Sequence, residues 1–259
     1  MLQDLYAGAI KDATEREELV PANQLEKLAL QAPTALSYER HLLSPSNIRV
    51  IAEIKRASPS RGSIASIEDP AALAKSYEVA GAGAVSVLTE GRSFLGSLHD
   101  LDEVRKAIRV PVLRKDFIAN EYQVLEARAH GADLVLLIVA GLDQKTLLRL
   151  KLLIEQLGMA ALVETHSEQE LLRACEVDSR LIGINARDLD SFQTDRSLFG
   201  SLASLVPSGT IKIAESAVRN VSDVQEYASY GADCVLVGEA LVTGNASELV
   251  SSFSEVAKP

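Results

Sequence analysis

At 259 residues and 47 % hydrophobic content the chain can bury one large core, and single barrel domains of about 250 residues are usual. A net charge of -10 argues against nucleic-acid binding as a primary role, because that affinity rests largely on cations that neutralise phosphates; a local phosphate site stays open. No apolar run approaches the roughly 20 residues of a bilayer crossing, and the start MLQDLYAGAIKDATEREELV has no secretory pattern, so the expectation is a cytoplasmic protein with no membrane association.

Residues 1–47 stand before the first predicted strand. They hold a helix around ATEREELV, a second helix after Pro21 in NQLEKLALQ, and a Pro/Ser-rich approach through Pro33, Ser44 and Pro45. This extension either covers the bottom of a barrel or helps close its active-site end. Eight short apolar segments follow in order: VIAEI, AVSVLT, VPVL, DLVLLIV, MAALVE, LIGIN, IKIAE and CVLVG. Their ends lie roughly 20 to 35 residues apart, room for one strand, one helix and two loops each. DPAALAKSYEVA, ANEYQVLEARAH and NVSDVQEYASY carry apolar residues at helical spacing, and each leads to a Gly suited to closing a helix before the next strand. The expected fold is therefore α/β, a single (β/α)8 TIM-barrel domain over residues 1–259 with residues 1–47 as an N-terminal helical extension. Cys175 and Cys234 lack CxxC or His-rich surroundings, and Cys234 within ADCVLVG reads as a small core residue.

The C-terminal ends of these strands carry polar residues that a structural strand does not need, the pattern of a barrel enzyme. Glu53 and Lys55 lie two apart and so point to one face. They either share a cleft and tune each other's proton affinity or form an ion pair that fixes the barrel. Lys115 ends VPVLRK, where it either protonates a carbonyl or hydroxyl or pairs with Asp116. Glu164 directly follows MAALV, as a base, as a partner for an ammonium or as a structural carboxylate. Asn185 and Arg187 share one loop with the weaker candidates Asp188 and Asp190; an Arg fork suits a carboxylate. Glu215 and Ser216 end the seventh strand and Gly238 the eighth, the place where this architecture binds phosphate through backbone N–H groups. Glu53, Glu164 and Glu215 suggest a Mg²⁺ site only until Lys55 and Lys115 are counted in the same mouth, so no metal is expected. No GxGxxG follows the first strand.

The stretches IAEIKRASPSRG, FLGSL, VPVLRKDFI, GINARDL and LVGEALV resemble the indole-3-glycerol phosphate synthase family, across nearly the whole chain. The resemblance implies a carboxy-lyase of tryptophan biosynthesis. Its reaction cyclises 1-(2-carboxyphenylamino)-1-deoxyribulose 5-phosphate to indole-3-glycerol phosphate with loss of CO₂ and water, without a cofactor. It further implies Lys115 as general acid, Glu164 as general base and Glu53 in supporting proton transfer. Lys55 is implied to meet the phosphate or carboxylate and to protonate the departing hydroxyl. Ser58, Asn185 and Ser216 would bind substrate polar groups, Arg187 and Glu215 would organise the mouth, and Phe94, Phe117 and Ile138 would flank the aromatic ring. Phosphate is expected at Lys55, Ala217, Gly238 and Glu239. Two positions depart from the family's pattern: Ala217 where a Gly is common, and Ala186 where a second Asn is common.

Phosphoribosylanthranilate isomerase, another barrel acting on an anthranilate-linked sugar phosphate, is the nearest alternative; the combined EIKRASPS and VLRKDF stretches favour the synthase. A catalytically silent barrel serving as a binding partner would not need Lys and Glu at separate strand ends beside a phosphate site. With no separate association segment visible, a monomer acting on a small sugar phosphate is expected.

Overall fold

The computed structural model describes residues 1–188 and 193–259. Among these, eight parallel strands close into a barrel: β1 (Arg49–Ile54), β2 (Ala84–Leu88), β3 (Val112–Lys115), β4 (Leu134–Ile138), β5 (Ala160–Thr165), β6 (Leu181–Asn185), β7 (Ile211–Glu215) and β8 (Cys234–Val237). Each pairs with its neighbours in chain order, and closure sets Arg49 of β1 against Cys234 of β8 and Ala52 against Val237.

Helices wrap the outside, and local sequence starts and stops them. Asp69, Ser97, Asn120, Asp143, Ser167 and Asn220 each accept a hydrogen bond from the backbone N–H three residues on, which satisfies a donor the first helical turn leaves free. Gly81, Gly131 and Gly231 follow three of these helices at φ +101°, +77° and +84°, the left-handed turn that the repeated Gly predicts. Cys234 is buried in the core, and neither cysteine is paired.

Strand β3 differs from the expected VPVL: it runs on through Arg114 and Lys115. Arg114 is 0 % exposed. Its guanidinium donates to Thr89 Oγ1 at 3.1 Å, to the Gln123 carbonyl at 2.8 Å and to Asp116 Oδ2 at 2.9 Å. A buried charge survives in an apolar layer when its donors are met in this way. Strand alternation sends Arg114 out under the helix Glu121–Ala129 and Lys115 to the opposite, inward face. Asp116 therefore belongs to Arg114, and the alternative pairing of Lys115 with Asp116 gives way to the contacts described below.

The extension serves both ends of the barrel. Helix α1 (Leu2–Leu19) starts well before ATEREELV and buries Tyr6, Ala9 and Ala13 along one face; its Leu2 and Leu5 reach the cavity at the C-terminal mouth. Helix α2 (Ala22–Gln31) packs on the flanking helix Glu121–Ala129. The chain then passes beneath the barrel, where the Leu36 N–H donates to Asp133 Oδ1 at 2.6 Å. The other oxygen of Asp133 takes the Val112 N–H at 2.8 Å, at the entry to β3. Leu42 and Ile48 are fully buried there. Among the described residues no helix is long and apolar enough to cross a membrane.

Candidate active site

A cavity of about 650 Å³ opens at the C-terminal end of the strands. It is lined from β1 by Glu53, Lys55 and Ser58, after β2 by Phe94, from β3 by Lys115 and Phe117, and from β4 by Ile138. The far side carries Glu164 of β5, Asn185 of β6 with Arg187 after it, Glu215 of β7 with Ser216 and Ala217 after it, and Gly238 and Glu239 after β8. The weaker candidate Asp188 is not among its lining, whereas the site residues that the family resemblance implies converge on this one space. The barrel register produces this: Glu164 lies opposite both Ile138 and Gly183, and Asn185 lies opposite Glu215. Asp188 sits further along the β6 loop, its N–H on the Gln193 carbonyl at 2.9 Å; Asp190 lies outside the described residues.

Lys115 stands at the centre. Its Nζ is 3.2 Å from Glu164 Oε2 and 3.8 Å from Glu215 Oε2. Burial alone would lower its proton affinity, but Glu164, Glu215 and Glu53 together raise it above the usual lysine range, so it is an ammonium at neutral pH. Burial likewise opposes the charge on Glu164, yet Lys115 and then His166 hold this carboxyl well below its usual range. Glu215 goes the other way, driven well above the carboxylate range by burial and by the Glu164 charge. We assign the negative charge to Glu164 and the proton to Glu215, because the ammonium is nearer Glu164 and Asn185 Nδ2 also donates to Glu164 Oε1 at 3.2 Å. Glu215 leans over Gly183, where a Cβ would collide with Oε1.

Beside this centre, Lys55 Nζ is 2.9 Å from Glu53 Oε1. Burial pushes the Glu53 carboxyl up, but Lys55 and Lys115 bring it below its ordinary value. The pair is both the shared cleft and the ion pair that the two-residue spacing allows. Gly238 borders it: a Cβ there would sit 2.5 Å from Glu53 Oε1, so the glycine makes room for the carboxylate as well as for any ligand. Ser216 Oγ donates to Asn185 Oδ1 at 2.7 Å, and the Arg187 N–H reaches the same oxygen at 3.0 Å, which fixes the amide.

One wall is apolar. Phe117 meets Tyr6 edge-on at 5.6 Å between centroids and Phe94 at 6.0 Å, with Ile138 close by. Phe94 owes its place to Glu90, a buried carboxylate that accepts the backbone N–H groups of Arg92, Ser93 and Phe94 at 2.9, 2.7 and 2.9 Å. The opposite wall is polar. Ser216 and Ala217 both have positive φ, +69° and +61°. Arg61 arrives there on a small hairpin, Ala57–Ser58 against Gly62–Ser63. Its Nε donates to Glu239 Oε1 at 3.0 Å, so the Glu239 carboxylate is engaged and any phosphate contact from that residue falls to its backbone N–H.

Several of these residues escape a reading of strand ends. Leu2, Leu5 and Tyr6 come from a helix whose place over the mouth has no local signal. Glu90 and Arg61 act inside loops. His166 lies two residues past Glu164, just beyond the end of β5, and that closeness in sequence to a strand-end carboxylate is the signal that could have found it.

A family model described as Indole-3-glycerol phosphate synthase matches residues 2–252. Curated relatives carry the same description. The one from Leifsonia xyli is 53 % identical over 99 % of this chain and 98 % of its own. The one from Mycobacteroides abscessus is 51 % identical over 100 % and 97 %. Among solved structures, 3-hexulose-6-phosphate synthase from Salmonella typhimurium superposes with a TM-score of 0.65 at 13 % identity, over 80 % of this chain and 97 % of that one, a likeness of fold alone. With a family model over nearly its whole length and relatives above half identity, this chain belongs to the indole-3-glycerol phosphate synthase family.

Proposed function

We propose that this mouth closes the indole ring of 1-(2-carboxyphenylamino)-1-deoxyribulose 5-phosphate, with Lys115 as the acid and Glu164 as the base. The observation that carries the reading is Lys115 Nζ, 3.2 Å from Glu164 Oε2 and 3.8 Å from Glu215 Oε2, with an apolar wall to one side and a polar, cation-bearing wall to the other. The anthranilate ring fits the wall of Phe94, Phe117 and Ile138. The phosphate fits the far side, at the backbone of Ala217 and Gly238 with Lys55 assisting. Holding the two ends apart folds the flexible sugar so that its ketone meets the ring.

The ring carbon bearing the carboxylate attacks the ketone, and the ketone oxygen becomes an alkoxide. Lys115 is a reluctant acid at rest, because the Glu164 and Glu53 carboxylates stabilise its charge. Its positive charge gains most where the alkoxide develops, and that oxygen is basic enough to take the proton. The bond to the carboxylate then breaks, its electrons restore the aromatic ring, and CO₂ leaves. Glu164 removes a proton from the former sugar carbon next to nitrogen. The hydroxyl departs as water with a proton from Lys55, which Glu53 steadies, and the indole double bond forms. Every step is redox-neutral, so the chemistry requires no electron carrier.

The test is to supply the carboxyphenylamino-deoxyribulose phosphate and follow indole fluorescence with matched CO₂ release. Folded protein that gave neither would overturn the reading. All the groups invoked come from one chain, which supports a monomer as the active unit; activity that appeared only in a larger species on sedimentation would contradict that part.

A further inference from the structure

We propose that His166, anchored by Glu170, is a positioning residue for Glu164: it engages one carboxylate oxygen so that the other is left for chemistry. The inference rests on Glu164 being the base. His166 follows β5 and its side chain is only 8 % exposed, and it does not line the cavity. Its Nε2 lies 3.2 Å from Glu164 Oε1, the same oxygen that Asn185 Nδ2 reaches at 3.2 Å. The approach of Nε2 is an ion-pair contact without hydrogen-bond alignment, and this buried nitrogen has no other partner among the described residues. Glu164 Oε2 is thereby left to Lys115 and the cavity.

The anchor is built into the local sequence. Ser167 caps the helix Glu168–Glu176 by accepting the Glu170 N–H at 3.2 Å. Glu170 reaches back to accept the His166 N–H at 2.9 Å, and its same oxygen lies 3.1 Å from His166 Nδ1. This is the reciprocal geometry of a capping box, shifted by one residue so that it also holds a ring. Burial opposes a charge on His166, but Glu164 and Glu170 raise its proton affinity to a pKa of about 10, so the ring is an imidazolium at neutral pH. The other charged or titratable groups facing the pair are Glu53 from β1, Lys115 from β3, Glu215 from β7 and Tyr6 from α1.

A cation beside Glu164 favours its ionised form, so removing it raises the pKa of the base and moves the acid limb of kcat to higher pH. His166→Gln keeps an amide near Nε2 but loses the charge. The expected result is a kcat reduced roughly tenfold, within what a misplaced catalytic group loses. With it comes an acid limb shifted up by about one pH unit and little change in KM. Glu170→Gln, at a side chain 19 % exposed, should shift the limb in the same direction by less, and it carries the test if His166→Gln does not fold. In a Glu164→Gln background, His166→Gln should add no further loss. An unchanged acid limb and kcat in both single variants, alongside a Glu164→Gln variant that has lost activity, would overturn the positioning role and leave the base standing. A Glu164→Gln variant at the parent rate would instead remove the base, and this inference with it.

Discussion

Lys115 and Glu164 sit 49 residues apart in sequence and on strands separated by β4, yet the barrel brings their side chains to 3.2 Å at its mouth. The contact makes each the other's regulator. The ammonium holds the carboxylate ionised, and the carboxylate keeps the ammonium protonated, so acid and base are both ready in their working forms at neutral pH.

Lys115→Ala removes the cation that meets the developing alkoxide. We expect kcat to fall by roughly 10²-fold or more, the range for loss of a general acid. Substrate binding should change less, because the contact strengthens mainly in the transition state. Stopped-flow indole fluorescence on a variant with a parent-like circular dichroism spectrum checks this; a rate within twofold of the parent would remove Lys115 from the chemistry.

Glu164→Gln keeps the shape and removes the basicity. If Glu164 takes the proton after ring closure, CO₂ should still appear in a single turnover while indole formation stalls. Parallel CO₂ and fluorescence traces that slowed together would place Glu164 before decarboxylation instead.

The strand ends are legible in sequence because a polar residue that terminates an apolar run has no structural reason to be there, as with Glu164 after MAALV and Glu215 after IKIA. The same rule hides Arg114, whose charge breaks the apolar pattern of β3 although the chain continues as a strand. Its partners Thr89 and Glu126 come from other places in the chain, and Asp116, two residues on, reads equally well as a partner for Lys115, so nothing local singles out a buried guanidinium. The start of α1 is obscured for a related reason: only Tyr6, Ala9 and Ala13 are buried on it, too thin an apolar face to stand out. His166 reads as the first residue of a loop, and its role depends on Glu170 folding back over a helix cap.

Glu215 offers a pH test with a definite sign. Its folded-state proton affinity is raised by burial and by Glu164, so its contribution to stability is fully present below the unfolded pKa of about 4.3 and is lost as pH rises toward the folded value. Glu215→Gln mimics the protonated form at every pH. The melting temperature of the variant relative to the parent should therefore climb from about pH 5 to about pH 8, above the unfolded value. A difference that stayed flat would mean that Glu215 is ionised in the fold.

Ala217 is the one expected phosphate contact with a measurable backbone burden. The sequence places Ala where a glycine is common in the family, and the chain still adopts the left-handed conformation there, at φ +61°, directly after Ser216 at +69°. An L-residue in that region costs roughly 1–2 kcal/mol that glycine does not. Glycine in turn loses about 0.4–1 kcal/mol through the greater freedom of its unfolded chain. The balance favours Ala217→Gly by about 0.5–1 kcal/mol, a rise in melting temperature of about 2 °C for a chain of this size. The backbone N–H is retained, so KM should stay near the parent value if phosphate is held by the main chain at this turn. A lower melting temperature would show that the Ala217 methyl packs usefully enough to outweigh its conformation. A KM raised about tenfold at unchanged stability would show that this turn must be pre-set by a side chain to grip the phosphate.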